Sequence, residues 1–312
     1  MLKNFNSLLD FQKAFSTQKK CIKYLLALRW NNKPVCQKCF RNDKTYIYAK
    51  DGLYGCGHCK REFGIRKNTI FEDSALDLTK WFLAFYLEIS NPKGISSLEL
   101  SKHLKTRQAT CWFVLQRIRW ALKHNTIEKM QGDIEVDETY CGGKEINKHQ
   151  DKKTEGSQAG HNKMAVLGII QRTGKIVLEY IKKSNMKNIK PILINNINFE
   201  NTNLFTDESP LYKGFDRQTV NHSLKEYARE EAYTNTIENA FSGFKRRVYG
   251  IHHSISKKHI SKYINSFCFY FNNKTLDIAE RFDVAMGLMF GKRLNYVNLI
   301  DRKGFKEWVD WR

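Results

Sequence analysis

Asp133-Ile134-Glu135-Val136-Asp137-Glu138-Thr139-Tyr140 is the stretch that decides how the second half of this chain is read. Its pattern makes 133–140 a strand, with Asp133, Glu135 and Asp137 on one face and Glu138 on the other. Gly142-Gly143 and a polar loop rich in Lys, Gln and Gly follow, running to about Lys163. Residues 164–171 and 175–181 then read as a hairpin around Arg172-Thr173-Gly174. Residues 188–197 suit a helix, 202–206 a strand ending in Asp207, and 218–221 one more short strand. Helices are expected over 235–247 and 256–272. From Gly132 onward the chain is therefore mixed α/β.

Upstream the pattern differs. Residues 8–30 carry apolar side chains at helical spacing and suit one or two short helices. Residues 34–70 hold short β-prone stretches (45–48 and 63–65) between cysteine pairs and glycines. Helical periodicity returns over 79–90, 96–104 and 107–123, broken at Asn91-Pro92-Lys93-Gly94 and near Lys105-Thr106. The last two helices have a helix-turn-helix layout. The second carries Arg107, Gln108, Thr110, Arg117 and Arg119, with Trp112, Leu115, Ile118 and Leu122 as its apolar stripe. Such a helix fits a DNA major groove with its N-terminal side chains on base edges. An ordinary helical hairpin with a solvated basic face has the same pattern.

Cys36-x-x-Cys39 and Cys56-x-x-Cys59, sixteen residues apart, have the spacing of a four-thiolate zinc site. Each pair presents two sulfurs to one tetrahedral ion, and Gly55 and Gly57 are expected to ease the second turn. A closed four-thiolate site leaves no position for substrate, so Zn2+ here is structural. The other cysteines, Cys21, Cys111, Cys141 and Cys268, read as buried small hydrophobes.

The 312 residues include 53 Lys and Arg against 32 Asp and Glu, a net charge of +21. That excess favours a polyanionic partner, because neutralising phosphates releases condensed counterions. A lysine-rich composition alone is the plainer explanation. No apolar run reaches the length of a membrane-spanning helix; 81–89 and 164–170 are core-sized. With no secretory segment at the N-terminus, a cytoplasmic location is expected, and the eight cysteines are not read as disulfides.

Acidic side chains recur at three places in the α/β half: the 133–138 strand, Asp207-Glu208 after a later strand, and Glu238 in a helix. Phosphoryl transfer on DNA uses two divalent cations about 3.5–4 Å apart, held by carboxylates on a rigid scaffold. Each of these carboxylates alone is ordinary solvated surface; their order along strand, strand end and helix makes them candidates. Glu238 and Lys245 are seven residues apart, two helical turns and about 10 Å, hence on one face. Glu230, Glu231 and Asn239 compete with Glu238 for the third place, and Glu135 and Glu138 stand behind Asp137 on the strand.

At these residues the chain resembles the zinc-ribbon insertion-sequence transposases related to the eukaryotic Merlin transposases. The matching stretches are Arg29-Trp30 with the cysteine pairs, Glu135-Val136-Asp137-Glu138-Thr139-Tyr140 with Gly142-Gly143-Lys144, and Phe205-Thr206-Asp207-Glu208. Val220-Asn221-His222-Ser223, Thr234-Asn235-Thr236-Ile237-Glu238, Lys245-Arg246 and Tyr249-Gly250-Ile251-His252-His253 continue the likeness. Lys258-His259 and Glu280-Arg281-Phe282-Asp283 extend it towards the C-terminus. The resemblance implies an RNase H-like core with a catalytic triad at Asp137, Asp207 and Glu238 binding Mg2+ or Mn2+, assisted by Lys245. It also implies double-stranded DNA partners (terminal inverted repeats and target DNA), a homodimer or larger assembly on DNA, and a bacterial, nucleoid-associated setting.

The expected organisation is N-terminal helices and zinc ribbon over 1–70, a helix-turn-helix-like segment over 76–128, an RNase H-like core over 132–275 and a helical tail over 276–312. Its activity would be strand cleavage and strand transfer at the ends of an insertion sequence. Two other readings share these features: a DNA-binding regulator with a degenerate core, and an RNase H-like nuclease acting on structured DNA without joining ends.

Overall fold

The computed structural model describes residues 4–48, 52–123, 128–142, 163–172, 174–207, 212, 214–215, 218–220 and 235–300. They fall into two compact units, one drawn from 1–91, 95–122 and 276–312, the other from 92–94 and 123–275. Most described residues of the segments 1–70, 76–128 and 276–312, distinct in sequence, fall in one unit, while 92–94, 123 and 128 fall in the other. The polar loop after Gly142, Glu208, Glu230 and Glu231 lie outside the described residues.

In the first unit α1 (Leu8–Ala14) and α2 (Gln18–Trp30) start at Ser7 and Thr17, whose side chains accept backbone N–H groups of Asp10 and Lys20. They pack on α3 (Leu78–Ser90), whose Trp81, Phe82, Phe85 and Ile89 are all buried. The chain returns here late: after α4 (Ser97–Leu104) and α5 (Gln108–Ala121), Phe282 joins Phe5, Phe11, Phe15, Tyr24 and Phe82 in one aromatic cluster. Arg281, beside it, donates to the carbonyls of Ile89 and Leu276. The Glu280–Asp283 motif is therefore structural at Arg281 and Phe282.

Three short antiparallel strands form the ribbon, β1 (Thr45–Ile47), β2 (Leu53–Cys56) and β3 (Glu62–Gly64). Arg29 fastens α2 to it, donating to the carbonyls of Ile65 and Lys67, while Trp30 stacks edge-on against Tyr54 and Phe63.

Arg117 and Arg119 do not line a DNA-facing surface. Arg119 is buried, pairs with the buried Glu88 at 2.9 Å and also donates to the Ile95 carbonyl. Arg117 donates to the carbonyls of Leu294 and Glu72. Helical position alone hid this, because the apolar stripe of α5 is wider than Leu115 and Ile118 and both arginines fall inside it. Arg107, Gln108 and Thr110, at the start of α5, remain exposed.

In the second unit β4 (Met130–Cys141) is the middle strand of a sheet ordered β6-β5-β4-β7-β8. The hairpin strands β5 (Met164–Gln171) and β6 (Ile176–Ile181) run antiparallel, while β7 (Ile197–Asp207) lies parallel to β4 and β8 (Gln218–Val220) parallel to β7. Helix α6 (Met186–Asn196) covers the face of Ile134, Val136, Leu167 and Ile169. Helices α7 (Asn235–Arg247) and α8 (Ile260–Asn272) cover the other, over Val166, Ile170 and Cys141. A single π-helical turn, Val248–His252, ends α7. Among the described residues no helix is long and apolar enough to cross a membrane. Helices α9 (Ile278–Gly287) and α10 (Tyr296–Ile300) belong to the first unit.

Candidate functional site

Two sites emerge, one in each unit. In the ribbon, Cys36, Cys39, Cys56 and Cys59 bring their sulfurs within 4.8 Å of one another. Cys36 and Cys59 Sγ are 3.6 Å apart, and Cys39 and Cys56 Sγ 3.5 Å. Four sulfurs around one zinc at about 2.3 Å would be about 3.8 Å apart, so the cluster fits the ion. Both knuckles are closed by the same backbone bonds: Cys36 and Cys56 N–H donate to Arg41 and Arg61, and their carbonyls accept from Phe40 and Lys60. The left-handed residue of each knuckle is Phe40 (φ 57°) or Lys60 (φ 56°), not a glycine. Gly55 and Gly57 serve close approach instead: a Cβ at Gly55 would lie 2.6 Å from the Tyr48 hydroxyl, and at Gly57 2.9 Å from Lys44 Cβ. The Cys59 and His58 N–H groups point at Cys56 and draw its thiol down to about 6, towards the thiolate that binds metal. Cys21, Cys111 and Cys141 are buried, and burial raises the thiol of Cys21 to about 12 and that of Cys141 to about 11.

The second site lies on the α7 face of the sheet. The parallel register pairs Glu135 with Phe205 and Val136 with Thr206, so Asp137 and Asp207 follow side by side, Asp207 at the end of β7 and Asp137 inside β4. Across the antiparallel ladder Asp137 faces Gly168. A Cβ at Gly168 would lie 2.7 Å from Ile237 Cδ1 and from the Phe241 ring, so α7 rests directly on this glycine. Glu238 follows Ile237 at the exposed edge of the helix, and its charge reaches Asp137. Burial pushes the Asp137 carboxyl up to about 7; the Glu138 N–H, at 2.7 Å, offsets part of this, and the negative charges of Asp207, Glu138 and Glu238 raise it further. Lys245 acts on Cys141, four residues further along β4, so α7 follows the strand with Glu238 at one end and Lys245 at the other.

Carboxylate oxygens are the donors that a hard divalent cation takes, and a cation among these groups would relieve their mutual repulsion, so the donor set fits one. Among the described residues, though, only the four cysteines form a group of three or more whose ligand atoms all lie within 4.8 Å of one another; Asp137, Asp207 and Glu238 together do not.

The fallback candidates on β4 separate cleanly. Glu138 points to the α6 face, beside the Tyr212 hydroxyl and 3.4 Å from Ser184 Oγ. Glu135 is completely buried and engaged by Arg172 and the N–H of Ile237, each at 2.9 Å. Asp133 is exposed and accepts from Asn203. Sequence reasoning treated Arg172 as a turn residue. The one available signal was its place at the hairpin end, where a long side chain can fold back over the neighbouring strand.

The second unit is thus a mixed sheet with Asp137 and Asp207 on neighbouring strands, and the first carries a four-cysteine ribbon. An ISXO2-like transposase domain matches residues 129–272, and a transposase zinc-ribbon domain matches residues 16–62. The chain thus carries, in order, a transposase zinc-ribbon domain and an ISXO2-like transposase domain. A relative in Halobacterium salinarum, described as an uncharacterized protein in transposable element ISH50, is 27% identical over 273 residues, covering 82% of this chain and 91% of that protein.

Proposed function

We propose that the chain is the transposase of an insertion sequence, binding terminal inverted repeats and carrying out divalent-metal-dependent strand cleavage and strand transfer. The observation that carries this reading is the row Asp207–Asp137, where β7 ends beside β4, with Glu238 set over it. The sheet order, three antiparallel strands followed by two parallel ones with helices on both faces, supports an RNase H-like core.

In this reading Asp137, Asp207 and Glu238 hold Mg2+ or Mn2+. When bound, the cations activate an attacking oxygen and stabilise the leaving one. The chain's own groups then have distinct tasks. Asp137 and Asp207 come from adjacent strands and form a rigid pair, whereas Glu238 comes from a helix. Lys245, on the same helix, holds a phosphate of the DNA end. The exposed start of α5 with Arg107, Gln108 and Thr110 reads base edges, and the basic surface contacts the backbone.

Glu238→Gln tests the assignment at its weakest member. A neutral amide binds a hard cation more weakly than a carboxylate, so cleavage of terminal-repeat DNA in Mg2+ is expected to disappear while gel-shift binding persists. Normal cleavage by Glu238→Gln together with a dead Asn239→Ala would move the third ligand to Asn239.

A further inference from the structure

We propose that Glu135 is a positioning residue of the carboxylate site, fixing the start of α7 so that Glu238 stands over Asp137 and Asp207. The inference rests on the reading of Glu238 as a site carboxylate. It concerns a residue that does not itself join the site, because both of its oxygens are already engaged. One accepts from Arg172 Nε at 2.9 Å, the other from the Ile237 backbone N–H at 2.9 Å.

The geometry is specific to the helix start. The first N–H groups of a helix have no partner within it, and a carboxylate placed there satisfies one and complements the helix dipole. Glu135 does this from β4, two residues before Asp137 and on the same face, for the residue immediately before Glu238. Arg172 holds the carboxylate in turn. Its backbone N–H donates to the Asp133 carbonyl, and its guanidinium lies 3.9 Å from the centre of the Phe205 ring, the cross-strand neighbour of Glu135. The row Phe205–Glu135–Ile170 thus locks the helix start, and the next row but one, Asp207–Asp137–Gly168, carries the carboxylates. Gly168 sets how closely α7 approaches; Glu135 sets its position along and about its axis. A slip of one residue would turn α7 by about 100° and shift it about 1.5 Å, carrying Glu238 off the Asp137–Asp207 row.

The test uses the full-length, zinc-loaded protein and Mn2+ alone as the probe, with free Mn2+ counted by electron paramagnetic resonance and folding followed by near-ultraviolet circular dichroism. Partners of metal ligands typically contribute 10–100-fold to affinity, so Glu135→Ala is expected to weaken Mn2+ binding at the core by roughly tenfold or more in folded protein, as Glu238→Gln does. Glu135→Gln keeps an oxygen for the Ile237 N–H and is expected to lose less. A purely structural role would lower the melting temperature and leave the affinity of the folded protein unchanged. Wild-type Mn2+ affinity in the folded Glu135 variants, with Glu238→Gln weakened, overturns the positioning role alone. Wild-type affinity in all of them overturns the carboxylate reading as well. Should Glu135→Ala fail to fold, Glu135→Gln and amide exchange in the unmodified protein decide. The Ile237 amide is expected to be protected relative to Thr236, and equal exchange at the two overturns the proposal.

Discussion

The ribbon and the carboxylate site reach their geometry by opposite routes. The four cysteines lie within residues 36–59, and each knuckle is closed by its own backbone hydrogen bonds, so the sulfurs are gathered before anything packs on them. The carboxylates come from β4, β7 and α7, with 100 residues between Asp137 and Glu238, and share one face of the sheet only because a sheet register and a helix seat agree. Burial raises the Asp137 carboxyl, and the neighbouring negative charges add to it. A local site can thus be nearly complete from chain geometry alone. A long-range cluster of like charges is placed only by the fold.

The largest effect should come from removing a strand carboxylate. Asp137→Ala and Asp207→Ala are each expected to lower Mg2+-dependent cleavage by at least about a thousandfold, with end binding nearly unchanged in a gel shift. Near-normal nicking by either variant would break the pairing of these two carboxylates as the centre of the site.

Next comes the ribbon. Structural zinc contributes on the order of 10 kcal/mol to the folding of small zinc modules. Replacing Cys36 and Cys56 by Ser should abolish zinc content and repeat-DNA binding while leaving Mn2+ affinity at the carboxylates intact. If core affinity falls too, the two sites are not as separate as their construction suggests.

A smaller effect sharpens the electrostatic half of the contrast. Asp137 rises from the ordinary 3.8 to about 7, so between these values the folded protein holds a proton that the unfolded chain has released. The metal-free protein should therefore lose stability as pH rises from about 4 through 7. Melting temperatures should show this slope in wild type, a shallower one in Asp137→Asn, and a flattened one in saturating Mn2+. Equal slopes in wild type and Asp137→Asn would remove Asp137 as the cause.

The smallest change is expected for Lys245→Ala. In the proposed role it would lose one charged hydrogen bond to a phosphate, so cleavage should fall about tenfold at limiting DNA and recover at high DNA concentration. A loss that high DNA does not restore would give Lys245 a role in the chemical step.

Much of this was legible in the residues. The CxxC spacing determined the ribbon, because two-residue gaps constrain two sulfurs to one side of a turn. Period-two alternation over 133–140 correctly divided Asp137 from Glu138, which faces Ser184. Helical spacing located 235–247 and put Glu238 and Lys245 on one helix. Tertiary structure alone decided which charges are buried. Arg117, Arg119, Glu88 and Glu135 look like surface residues in sequence, yet each finds its partner across another element. A buried charge is tolerable only when paired and hydrogen-bonded, and whether a partner exists depends on contacts between distant segments, which no local pattern records. The same holds for Gly168, whose missing Cβ matters only because α7 comes to rest on it.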